Sequence, residues 1–104
     1  MKVIVVGGGA AGLIAAWAAE NNGHSVTVIE KNHRAARKVM ITGKGRCNVT
    51  NSCPLLNDLI ANVPVNGRFL YGAFSRFTTD DTMDFFEELG VPLKIERGNR
   101  VFPV

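Results

Sequence analysis

The stretch VIVVGGGAAGLIAAWAA, residues 3–19, decides how this chain is read. It begins inside KVIVV (2–6), a β-branched run of the kind that suits a strand buried on both faces, as in a parallel sheet. Three glycines follow, and the hydrophobic period changes there. Ala10 to Asn22 reads as a helix. Leu13 and Trp17 stand four apart, as do Ile14 and Ala18, which gives a face able to lie on a sheet. Gly23 fits the position just past a helix end. SVTVIE (25–30) then reads as a second strand. Strand, glycine turn, helix and strand fill the roughly 30 residues of a βαβ crossover. The predicted fold class is therefore α/β, the N-terminal part of a Rossmann-type domain. A secretory signal is the rival reading, since Lys2 precedes the apolar stretch and Ala16-Trp17-Ala18 resembles a cleavage site. Three consecutive glycines interrupt what would have to be a continuous apolar helix, and they decide against it.

Gly7-x-Gly9-x-x-Gly12 matches the dinucleotide fingerprint. The first glycine permits a sharp turn from strand to helix. The second lets backbone approach a diphosphate without a Cβ in the way, and the third lets the helix pack on the strand. The helix N-terminus presents unpaired N–H groups and the positive end of its dipole to the phosphates. Glu30, at the end of the second predicted strand, stands where a carboxylate accepts hydrogen bonds from ribose hydroxyls. An acid there repels a 2′-phosphate, so the expected nucleotide is FAD or NAD rather than NADP. The fingerprint does not choose between these two. The downstream loop favours FAD, because a cationic, glycine-containing segment is placed to follow a longer cofactor.

That loop is the basic part of the chain. Lys31, Arg34, Arg37, Lys38, Lys44 and Arg46 occur with no acid among them, although the whole chain of 104 residues carries a net charge of only +3. Such a local excess points to an anionic ligand or to a solvated loop, and not to a nucleic-acid partner. No apolar run reaches the ~18–20 residues of a membrane span, so no membrane partner is expected. Two cysteines, Cys47 and Cys53, are too few for a disulfide scaffold, and reduced thiols in a cytoplasmic protein are the expectation.

Beyond Glu30, residues 31–53 read as an extended loop with one helical turn around 35–39. Helices are expected at 54–61, at 67–77 and from a cap at Thr78 or Thr79, the last with Asp80 and Asp81 in its first turn and stopped by Gly90 and Pro92. Two strands, Leu93–Ile95 and Arg100–Phe102, are joined by Arg97-Gly98-Asn99. Met83, Phe86 and Leu89, and the aromatics Phe69, Phe74, Phe77 and Phe85, are assigned to the core. His24 and His33 are read as solvent-facing turn residues.

RKVMITGKGRCNVTN (37–51), taken with GGGAAG, with IEK at 29–31 and with NRVFP at 99–103, resembles the flavoprotein family called HI0933-like. The resemblance runs over essentially the whole chain. It implies an FAD-dependent oxidoreductase in which hydride moves through flavin N5, with a small-molecule substrate and with NAD(P)H or oxygen as the second redox partner. It implies that Gly7, Gly9, Ala10, Ala11 and Gly12 cradle the pyrophosphate, that Glu30 and Lys31 hold the adenosine end, and that Arg37 and Lys38 neutralise phosphate. Gly43, Gly45, Arg46, Cys47 and Asn48 would pass near the flavin, with Arg46 stabilising charge on its reduced form. Three positions depart from the family pattern: Ala36, Lys44 and Asn99 stand where glycine is common. Family members are also several times longer. Residues 1–104 thus correspond to an incomplete N-terminal segment of the FAD-binding domain, with the remaining sheet strands and the substrate domain absent and the chain alone expected to be inactive. No general acid or base is nameable here.

Two rival readings fit the residues less well. Disulfide-reductase flavoenzymes place a redox cysteine pair downstream of the acid, but Cys47 and Cys53 are six positions apart, about 240° around a helix, and would not meet readily. Zinc lacks ligand spacing in Cys47, Cys53, His24 and His33. The non-enzyme alternative is a fragment serving only as a nucleotide-binding or structural module.

Overall fold

The computed structural model describes residues 1–104, which divide into two compact units, Met1–Cys47 and Asn48–Val104. The first unit is the βαβ crossover and its trailing loop. Strand β1 (Lys2–Val6) pairs in parallel with β2 (Ser25–Ile29), Lys2 opposite Ser25 through Val6 opposite Ile29. Helix α1 (Ala10–Asn21) connects them. Period-2 alternation sorts the strands. Val3 and Val5, with Val26 and Val28, are half-buried, while Ile4 and Val6 are 66% and 82% exposed. The expectation of burial on both faces therefore fails within this unit, because α1 is its only long helix and covers one side of a two-stranded ribbon.

The half-buried residues of helix α1 are Gly12, Leu13, Ala16, Ala18 and Ala19, so Leu13 and Ala18 of the predicted face are covered, whereas Ile14 and Trp17 are exposed. The predicted face is thus rotated towards the small residues, which allow close approach to the ribbon. The helix ends as the sequence dictates: Gly23 adopts φ +84°, its N–H donates to Glu20 O at 2.9 Å, and the His24 N–H donates to Ala19 O at 3.1 Å. His24 is not the solvent-facing residue expected. It is half-buried, with Nδ1 shielded from solvent, because its backbone closes the helix at the entry to β2. His33 is exposed. The loop after β2 carries a short helix α2 (Arg37–Ile41) and a tight turn at Thr42–Gly45.

The second unit is an antiparallel sheet of order β3-β5-β4 with helices around it. Its strands are β3 (Thr50–Asn51), β4 (Leu93–Glu96) and β5 (Arg100–Pro103). Central β5 holds the best-buried side chains of the protein, Val101 at 0% and Phe102 at 2% exposure. Helices α3 (Leu56–Ala61), α4 (Tyr71–Arg76) and α5 (Thr79–Glu88) follow β3 in sequence. A capping box starts α5: Asp81 N–H donates to Thr78 Oγ1 at 3.1 Å, and Thr78 N–H donates to Asp81 Oδ2 at 2.9 Å. Buried Thr79 donates its hydroxyl to Cys53 O at 2.9 Å, tying the helix start to the chain after β3.

The expected helix over 67–77 is broken into a 3-10 turn (Gly67–Leu70) and α4, after a left-handed Asn66 at φ +57°. The break shifts the helical phase, and Phe69 emerges 88% exposed, with Phe77 and Leu89 also exposed rather than in the core. Phe74, Met83, Phe85 and Phe86 are half-buried. No helix is long and apolar enough to cross a membrane. Both cysteines are free thiols, Cys47 half-buried and Cys53 buried.

Candidate nucleotide site

The site grows from the C-terminal ends of β1 and β2, where parallel strands leave a crevice for ligands. Gly7 carries β1 into the turn at φ +100°, a conformation that side-chain-bearing residues rarely adopt, and its N–H donates to Ile29 O at 2.8 Å. Gly9 is the N-cap of α1, and a Cβ built there would meet nothing within 4 Å, so its bare face opens outward. Gly12 is the reverse: a Cβ there would fall on Gly7 O, with Val5 Cγ1 behind it at 3.4 Å. The three fingerprint glycines therefore serve a turn, an open approach and a close packing. No side chain caps α1. Helical geometry leaves the amides of its first turn, Ala10 to Gly12, without intrahelical acceptors, and this turn follows directly on Gly9.

Glu30 closes the other side. Its Oε2 accepts the Asn32 N–H at 2.7 Å and its Oε1 accepts the Gly8 N–H at 2.9 Å. These two backbone donors, with Lys31 adding a smaller favourable field, hold the Glu30 carboxyl below the usual glutamate range. Gly8 is buried, and its carbonyl accepts the Ala36 N–H at 2.6 Å. The loop after β2 is thereby folded back onto the glycine turn. Arg37 reaches Asn32 Oδ1 at 3.5 Å, the outer limit of a hydrogen bond.

Between these groups lies a cavity of about 410 Å³. Gly7, Gly9, Glu30, Lys31, Arg37 and Lys38 all line it, so the structure gathers six of the residues expected at the nucleotide into one place. Its size falls in the range of small-molecule sites, and it offers donors, one carboxylate and three cations within one hollow. The sequence reading missed two contributors. Gly8 was the variable position inside Gly7-x-Gly9, and Asn32 acts through its backbone; only the third consecutive glycine hinted at the first of these. A larger hollow of about 490 Å³ in the second unit is bordered by Val65, Asn66, Arg68, Phe69 and Leu70, and it presents mainly apolar surface without convergent polar groups.

The remaining expected residues are not part of the cavity lining. Gly43 and Gly45 belong to the tight turn, which is closed by Arg46 N–H donating to Gly43 O at 3.2 Å and Cys47 N–H donating to Thr42 O at 3.0 Å. Asn48 lies in the second unit, its side-chain amide facing the carbonyl oxygens of Val101 and Thr50, so its NH₂ group is the one turned towards them. His, Cys, Asp and Glu side chains form no group of three able to hold a metal.

Residues 1–104 match the HI0933-like protein Rossmann domain from end to end. The chain belongs to the HI0933-like family. Among curated relatives, 3-dehydro-bile acid delta(4,6)-reductase of Clostridium scindens is 31% identical over 104 residues, covering 98% of this chain and 24% of the relative. Ribosomal RNA dihydrouridine synthase of Escherichia coli is 34% identical over 88 residues, 85% of this chain and 21% of the relative. D-amino acid dehydrogenase of Vibrio vulnificus is 33% identical over 54 residues, 52% of this chain and 13% of the relative. The HI0933-like segment described here thus spans about a quarter, or less, of the length of the relatives it matches, and those relatives are oxidoreductases.

Proposed function

We propose that these residues form the nucleotide-binding N-terminal segment of an FAD-dependent oxidoreductase. The observation that carries the reading is the 410 Å³ cavity, where an uncapped helix N-terminus, the Glu30 carboxylate and the cations Lys31, Arg37 and Lys38 surround one space. An adenosine diphosphate has the matching chemistry: a sugar with two hydroxyl donors and a dianionic linker. The first-turn amides of α1 and the side chains of Arg37 and Lys38 would take the diphosphate, and Glu30 the ribose. Gly9 leaves room for the closest approach. FAD, when bound, supplies hydride transfer through its flavin.

On this reading the substrate is a small molecule, the second redox partner is NAD(P)H or oxygen, and the enzyme works in the cytoplasm without membrane or nucleic acid. A second reading, in which RNA takes the place of the small molecule as substrate, is favoured by the match to a ribosomal RNA dihydrouridine synthase. The match runs over 88 residues that hold no substrate pocket of their own, so it does not discriminate between the two.

The test is direct. The whole protein, purified from cells, is expected to carry the visible absorption of bound flavin and to release FAD on denaturation. Colourless protein with no affinity for FAD or ADP would overturn the assignment and leave a structural module in its place. Arg37→Ala combined with Lys38→Ala is expected to reduce retained flavin at unchanged fold. Activity of the flavin-loaded protein on small acceptors against structured RNA then separates the two substrate classes.

A further inference from the structure

Glu30 is tied to the backbone twice, once far back in the chain and once just ahead. Oε1 holds the Gly8 N–H, 22 residues earlier, and Oε2 holds the Asn32 N–H, two residues later. Gly8 is held from both ends, since its carbonyl also takes the Ala36 N–H at 2.6 Å. Side chains already close around it: a Cβ at Gly8 would stand 3.3 Å from Ala35 Cβ and 3.4 Å from both Glu30 Cβ and Cγ. The Gly8 amide therefore has a protein acceptor and is withdrawn from any anion. The next amides along the chain are those of Gly9, the N-cap, and of the first turn of α1.

The geometry points to Glu30 as a positioning residue: its carboxylate fixes the glycine turn in the shape that presents the α1 amides to a diphosphate. The inference rests on the dinucleotide reading above and deepens it, because one acid then serves the sugar and shapes the diphosphate cradle. The two tasks are compatible, since each carboxylate oxygen has a second lone pair for a ribose hydroxyl. The charged groups around it are Lys31 on the same loop, Arg37 and Lys38 lining the same cavity, and the N-terminal end of α1.

Inorganic pyrophosphate separates positioning from sugar binding, because it has no ribose. Removing a negative charge beside an anion should by itself tighten pyrophosphate binding. A positioning role predicts the opposite. In the whole protein stripped of nucleotide, Glu30→Gln is expected to weaken pyrophosphate several-fold and to speed hydrogen exchange at the Gly8 amide about tenfold. Glu30→Asp keeps the charge but is one methylene short of Gly8, and it is expected to show both losses in milder form. Equal or tighter pyrophosphate binding by Glu30→Gln overturns the proposal. So does a Gly8 amide that, in the unaltered protein, exchanges as fast as an unprotected loop amide. An ADP titration keeps the two ideas apart. If ADP does not bind but Gly8 is protected and loses protection in Glu30→Gln, the positioning of the turn stands and the dinucleotide reading falls.

Discussion

The turn at Gly7–Gly9 and the turn at Thr42–Gly45 meet the same steric demand and answer it differently. Both send the backbone through positive φ. The first places glycine where the demand falls, Gly7 at φ +100°. The second runs Gly43, Lys44 and Gly45 through +57°, +55° and +87°, so its middle residue carries a long side chain in the left-handed region. Ala36 at +58° and Asn99 at +58° do the same elsewhere. These are the three positions at which the sequence resemblance leads one to expect glycine. A side chain in that region costs on the order of 1–2 kcal/mol, less for asparagine, whose side chain bonds locally. The lesson is that a left-handed backbone position can be held without glycine, here by lysine, alanine and asparagine.

The contrast can be broken or sharpened in steps. The largest effect is expected from Gly12→Ala, whose Cβ would be driven onto Gly7 O; a loss of about 3 kcal/mol in denaturant unfolding, with release of any bound flavin, is the expected outcome. Gly7→Ala meets open space but an unfavourable φ, and a loss of about 1–2 kcal/mol is expected. Lys44→Gly and Ala36→Gly should each raise stability by up to about 1 kcal/mol, the larger unfolded-state entropy of glycine offsetting part of the relief. Asn99→Gly should change it by only a few tenths, about the precision of the measurement. If Lys44→Gly and Ala36→Gly both destabilise, side-chain contacts outweigh backbone strain and the comparison fails.

Protonation supplies a subtler probe of the first turn. The Glu30 pKa is lowered in the folded state by the Asn32 and Gly8 amides, so its contribution to stability is complete above the ordinary glutamate pKa. That contribution is lost as the pH falls through the lowered native value. Melting temperature should therefore drop on acidification below the ordinary carboxylate range by less in Glu30→Gln than in the unaltered protein. Parallel curves for the two would show that the carboxylate bonds do not persist in solution.

The crossover was legible because its signals are local and repeated: a β-branched run, a glycine turn, a helix with a glycine stop, and an acid after the second strand. The α5 start was legible for the same reason, since Thr78 and Asp81 make their reciprocal bonds within one turn. Burial was less readable. Ile14, Trp17, Phe69 and Leu89 have side chains suited to a core, but small residues bring α1 to the strands, and Asn66 resets the helical phase before Phe69. Gly8 and Asn32 escaped because they act through main-chain amides, which every residue but proline possesses. Gly43, Gly45 and Arg46 were assigned by resemblance, and spacing gave no independent sign of where their loop would turn.

Gly8 anchors the segment that follows β2 at two points, the Glu30 carboxylate and the Ala36 N–H. Residues 31–35 are consequently a loop of fixed gauge, clipped at its two ends to a single peptide neighbour. His33 and Arg34, both exposed, are open to exchange, but the length of the loop is not. One residue inserted or removed there would force one clip to open, and the glycine turn of the crossover would shift with it.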